Sequence, residues 1–121
     1  MANVTLKKVA KSFGATRALR NFSVSVRDGE LVTFLGPSGC GKTTSLRSVA
    51  GFVTPDSGRI EIGTRTVFAR EDGISVPAER RGVGMVFQSY ALWPHMTVRE
   101  HVLFPLRRQG WPQARALEAA Q

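Results

Sequence analysis

The sequence is short of several things that would settle its class outright. One cysteine, Cys40, stands among 121 residues, so neither an internal disulfide nor a cysteine-based zinc site can form. No apolar run reaches the ~20 residues that a membrane-spanning helix needs. Residues Met1 to Lys8 lack the basic-then-apolar order of a secretory leader, so the chain reads as cytosolic. Acidic residues are few, 9 against 17 Lys and Arg, for a formal net charge of +8. That excess suits an anionic partner. Yet the longest basic runs are pairs: Lys7-Lys8, Arg80-Arg81 and Arg107-Arg108. No basic arm forms, and nucleic acid is not expected as a partner. Internal repeats and low-complexity tracts are also missing. What remains is 42% hydrophobic, which fits a folded domain or part of one.

Against this background one stretch stands out. Gly36-Pro37-Ser38-Gly39-Cys40-Gly41-Lys42-Thr43-Thr44 matches G-x-x-x-x-G-K-[ST], the phosphate-cradling loop. Its glycines let the backbone turn tightly and aim several N–H groups at one anion. The start of the following helix adds free N–H groups and a positive dipole end. Lys42 is expected to reach the β- and γ-phosphates, and the Thr43 hydroxyl to ligate Mg²⁺. The flanks agree. Leu31 to Leu35 reads as a buried strand, and Leu46, Val49 and Ala50 mark a helical face closed by Gly51 and Pro55. The competing reading is a glycine- and serine-rich surface turn that happens to precede a lysine.

The rest of the chain yields a coarse order. Val4 to Val9 and Phe22 to Val26 read as strands around a turn at Lys11 to Ala15, and Arg27 to Glu30 as an Asp-Gly turn. Arg59 to Ile62 and Thr66 to Ala69 read as strands about Gly63, with residues 70–78 as loop. Val83 to Phe87 reads as a second buried strand ending at Gln88. Thr97 caps a helix to Gln109, with Glu100 at the capping-box offset and Val98, His101 and Val102 on one face. Pro105 should kink or end that helix. A last helix is expected from Pro112 and has no terminator at Gln121. His95 and His101 have no partner at ligand spacing and read as structural or surface residues.

Three stretches together carry a resemblance: the loop from Gly36 to Thr44, then Ala50 to Ile60, then Pro77 to Val98 with its Gln88-Ser89-Tyr90-Ala91-Leu92-Trp93-Pro94-His95-Met96 centre. The chain resembles the ATP-binding subunits of ABC transporters, most of all importers of ferric iron, polyamines or sugars. The implied fold is α/β, a P-loop NTPase nucleotide-binding domain. Residues 1–88 would form the ATP-binding core, an antiparallel β-layer plus an incomplete parallel core sheet. Residues 89–121 would begin the helical subdomain.

The resemblance also implies roles. ATP and Mg²⁺ are the expected ligands, with Ser38, Gly39, Cys40, Gly41, Lys42, Thr43 and Thr44 around the phosphates. Lys42 and Gln88 would be the catalytic residues, and Thr43 and Gln88 would attend the metal. Phe13 matches the aromatic that stacks on adenine, with core packing as its competing reading. Tyr90, Leu92 and Trp93 fall where a coupling helix of the membrane permease is received, against the alternative of a small core under a loop. A homodimer of the full-length ATPase, and a periplasmic or extracellular solute-binding protein acting indirectly, complete the partners. The location implied is cytoplasmic, peripheral on the inner face of the cell membrane.

The family's Leu-Ser-Gly-Gly-Gln signature, its apolar strand ending in Asp-Glu and its switch histidine have no match in these 121 residues. The expectation is therefore an N-terminal portion, without hydrolysis of its own and poorly soluble alone, because the loop's strand would lack its neighbour. Two further readings stay open: a soluble ABC ATPase acting on nucleic acid or ribosomes, and a nucleotide-binding remnant without activity.

Overall fold

Residues 2–120 are described by the structure, a computed structural model. The expected interruption of the last helix at Gln121 lies outside them. The chain divides into two compact units, Met1–Met85 and Val86–Gln121.

The first unit is built on one antiparallel sheet of five strands. These are β1 (Val4–Phe13), β2 (Thr16–Val26), β3 (Ser57–Ile62), β4 (Arg65–Ala69) and β5 (Ile74–Ser75), in the order β2-β1-β3-β4-β5. β1 and β2 are longer than the expected strands and meet across a turn at Gly14-Ala15, so Lys11 to Phe13 are strand rather than turn. The core comprises Leu6, Val9, Leu19, Ile60, Val67 and Phe68. Leu6 and Val9 are three residues apart, a spacing that would put them on opposite faces of a regular strand. A bulge resolves this: Leu6 pairs with Val24 and Val9 with Phe22, so β1 spends one residue more than β2. Lys8 takes φ 49° there, and its N–H donates to Ser23 Oγ at 2.9 Å. Gly58 on β3 makes room for the bulge, since a Cβ at that position would lie 2.6 Å from the Lys8 carbonyl oxygen.

The phosphate-loop helix α1 (Lys42–Ala50) starts at Gly41 and ends at Gly51, both in the left-handed region. Its inward residues differ from the expected set. Ser45, Ser48 and Ala50 are buried, while Leu46 is half-exposed. The hydroxyls of Ser45 and Ser48 bond the carbonyls of Gly41 and Thr44, so small polar side chains are satisfied within the helix and allow close packing.

The expected parallel core sheet does not form among the described residues. Leu31 to Leu35 and Val83 to Phe87 carry no strand pairing, and Leu31 and Val86 are each 93% exposed. The reason is physical: an apolar run becomes a buried strand only when neighbours complete its ladder and cover its faces. Neither run has such a neighbour here.

In the second unit, α2 (Val98–Arg108) is capped by Thr97 with the expected box. Thr97 N–H donates to Glu100 Oε2 at 2.7 Å, and Glu100 N–H to Thr97 Oγ1 at 3.3 Å. Pro105 does not end the helix; the turn after it is held by Gln109 N–H on the Pro105 carbonyl. The buried side chain is Leu103; of the face that Val98, His101 and Val102 share, both valines are exposed. Pro112 is the N-cap of α3 (Gln113–Ala119), which buries Ala116.

Candidate functional site

The loop from Gly36 to Gly41 runs into α1 without any side chain capping the helix start. Helices leave their first N–H groups unbonded, and here the N-cap, Gly41, has no side chain to take them up. Gly41 sits at φ 94°, where a Cβ would collide with the Ala18 carbonyl oxygen. Gly39 at φ 78° also needs the left-handed region.

Lys42 decides the loop's electrostatics. Its ammonium donates to the carbonyls of Gly36 at 2.5 Å and Pro37 at 2.6 Å, with Cys40 Sγ at 3.4 Å. A cation thus lies across the loop, held by two backbone carbonyls and facing no carboxylate in these bonds. Cys40 and Thr43 are exposed. Beside the loop lies a cleft of about 300 Å³ lined by Leu19, Phe22, Phe34, Cys40, Lys42 and Ser45. Phe22 and Phe34 meet edge-to-face there, centroids 5.8 Å apart.

Phe13 ends β1 with a half-exposed ring and the Lys11 ammonium 5.3 Å from its centroid. Gln88 is in the second unit, exposed in a turn rather than ending a strand. Beyond it, Tyr90 is 80% exposed and both it and Ala91 take positive φ. Leu92 is exposed, and Trp93 is 44% exposed, packed on Phe104 at 5.0 Å between centroids and on His101 at 5.7 Å.

The bonds of two residues escaped the sequence reading. Arg81, read only as half of a basic pair, is buried; Nε donates to Val76 O at 2.7 Å, and Nη1 donates to Ser48 O at 2.7 Å and Val49 O at 3.0 Å. Burial pushes its guanidinium below the usual arginine range. No sequence signal separates it from Arg80. His101, read as a structural or surface residue, has a structural role: its ring bonds both Trp93 and Thr97.

A glycine loop feeding an uncapped helix start, beside an antiparallel sheet, defines a phosphate-loop domain. Its family follows from comparison: the chain belongs to the ABC transporter family, whose sequence model matches residues 19–121. It is 51% identical over 113 residues to the trehalose/maltose import ATP-binding protein of Thermococcus litoralis, covering 93% of this chain and 30% of that protein. It is 50% identical over 119 residues to the Fe(3+) ions import ATP-binding protein of Brucella abortus, covering 98% of this chain and 32% of that one. The chain thus spans about a third of the length of these curated relatives. Among solved structures it is similar to a dimeric ATP-binding cassette in a post-hydrolysis state bound to ADP and phosphate. The TM-score is 0.79 at 28% identity, covering 97% of this chain and 53% of that one. The fold is that of an ABC ATPase cassette.

Proposed function

We propose that this chain is the nucleotide-holding portion of the ATPase subunit of a solute importer. The observation that carries this is the uncapped start of α1 with the Lys42 ammonium lying across the Gly36–Gly41 loop. Import ATP-binding relatives near 50% identity support the importer reading. A phosphate chain fits the loop chemically: free N–H groups at a helix start and one cation held only by backbone carbonyls are what a polyanion requires. Backbone N–H groups from Ser38 to Thr44 would hold ATP, Lys42 would exchange its two carbonyls for phosphate oxygens, and the half-exposed face of Phe13 would meet adenine. The Thr43 hydroxyl would attend Mg²⁺, which when bound would supply charge neutralisation of the phosphates. Lys42 and Gln88 would serve hydrolysis in the whole protein.

Tyr90, Leu92 and Trp93 present an apolar face suited to a helix of a membrane permease subunit. The dimeric cassette among the similar structures supports pairing of two ATPase subunits. A solute-binding protein outside the membrane would act only indirectly. The ATPase subunit itself would work in the cytoplasm, peripheral on the membrane. Among the described residues no helix is long and apolar enough to cross a membrane.

Calorimetry with Mg-ATP tests the nucleotide reading. Lys42→Ala should weaken binding at least about tenfold, the worth of one charge-assisted hydrogen bond. Equal affinity in both proteins would overturn it. For the permease reading, Trp93→Ala in the assembled transporter should abolish transport and leave nucleotide affinity alone; equal loss of both would sink that role.

A further inference from the structure

We propose that His101, neutral and carrying its proton on Nδ1, is the positioning residue of the Trp93 turn, and that a second proton on its ring releases that turn. The tautomer follows from its two partners. Trp93 N–H lies 3.0 Å from Nε2 and can only donate, so Nε2 must offer its lone pair. The Thr97 carbonyl oxygen lies 2.8 Å from Nδ1 and can only accept, so Nδ1 must carry the proton. The same carbonyl also accepts the first helical bond of α2, from His101 N–H at 3.1 Å. The imidazole is therefore seated on the N-cap of α2 and reaches back eight residues to hold a loop amide.

The consequence is mechanical. Trp93 closes a turn through its own carbonyl, which accepts from Met96 N–H at 3.1 Å, and its ring lies against His101 and Phe104. One imidazole thus fixes the backbone of Trp93 and forms one wall of its ring's seat. A protonated ring has N–H at both nitrogens, so Nε2–H would point at Trp93 N–H, donor against donor. That bond cannot survive, and the aromatic face loses its anchor.

The charged groups around the ring are mixed. Glu100, on α2 itself, is bonded to Thr97 and interacts with both His101 and His95 of the preceding turn. From α3, which packs on α2, the charged side chains are Arg115, stacked over Trp111 at 4.5 Å, and Glu118. The inference rests on the two hydrogen bonds alone and stands whether or not the face meets a permease.

The test is nuclear magnetic resonance on the intact protein labelled with 15N-tryptophan, with Trp111→Phe to assign the two backbone amides. Between pH 8 and 5, where histidine changes charge, the Trp93 amide should shift along one titration curve. Its hydrogen exchange, corrected for the intrinsic pH effect, should quicken as the imidazole gains its proton. His101→Gln keeps an acceptor near the position of Nε2 but cannot titrate, so it should flatten the curve; His95→Gln should leave it unchanged. A Trp93 amide that ignores pH in the unmodified protein, or titrates equally in His101→Gln, would overturn the proposal. So would loss of the curve in His95→Gln. The imidazole 15N shifts of the unmodified protein at pH 8 give a check without any substitution: a dominant Nε2–H tautomer would also overturn it.

Discussion

The guanidinium of Arg81 donates to the Ser48 carbonyl at 2.7 Å, closing from a distant stretch of chain the far end of the helix that Lys42 opens. Helix ends expose carbonyls that need donors, and a cation there also meets the negative end of the dipole. Gly51 belongs to the same arrangement, because a Cβ at that position would stand 2.8 Å from Arg81 Nε. The far end of α1 is thus anchored by a residue 39 positions beyond Lys42.

Arg81→Met should therefore cost more than its surface neighbour Arg80→Met. Loss of hydrogen bonds to a charged donor, with carbonyls of Ser48, Val49 and Val76 left behind, suggests about 3 kcal/mol. Arg81→Lys should recover part of it. Urea unfolding midpoints measure this, and an unchanged midpoint in Arg81→Met would contradict the anchor.

Gly41 and Gly39 allow a paired comparison within one loop. Both need positive φ, but a Cβ on Gly41 would also sit 2.7 Å from Leu19 Cδ2 and collide with the Ala18 carbonyl oxygen, while Gly39 has open space. Gly39→Ala should cost about 1–2 kcal/mol from conformation alone. Gly41→Ala should cost roughly 3 kcal/mol or more, strain and overpacking together. Equal destabilisation in thermal melts would mean that β2 does not press on the loop.

Cys40 is exposed with its sulfur 3.4 Å from the Lys42 ammonium. A maleimide should alkylate it and block nucleotide binding, since the adduct occupies the loop mouth. ATP should protect the thiol. Mass spectrometry of the labelled peptide gives the answer, and labelling at the same rate with and without ATP would place the nucleotide elsewhere.

Two carboxylates give stability a pH dependence. Asp56 is held below the ordinary carboxylate range first by the Ser12 N–H at 2.7 Å and then by the Lys11 ammonium at 3.0 Å. Glu100 is lowered first by the Thr97 N–H and then by the Thr97 hydroxyl. A group whose folded pKa is depressed binds protons more readily when unfolded, so its stabilisation is whole above the unfolded values of about 4. It is lost as pH falls through the lower folded values. Asp56→Asn and Glu100→Gln should each flatten the decline of the melting temperature between about pH 5 and pH 2. A slope as steep as that of the unmodified protein would remove the residue from the account.

Short-range chemistry was well written in the sequence. The Thr97–Glu100 box, the Gly51 stop of α1, the Asp28-Gly29 turn and the pairing of β3 with β4 depend on neighbours within a few residues, and each is found in place. The loop from Gly36 to Thr44 was legible for the same reason. Arg81, His101 and the Lys8 bulge were not, because each acts across a distance that no local pattern encodes.

The amino-acid sequence alone determined the glycine loop, the helices and the family, since these reside in residue identity and spacing. Tertiary structure alone decided which apolar runs became buried strands. Leu31 to Leu35 has the composition of a core strand and yet lies unpaired, because burial is conferred by neighbours and not by the run itself. The same holds for charge: Arg80 and Arg81 are identical in sequence, and only the packing of α1 against one of them made it an anchor.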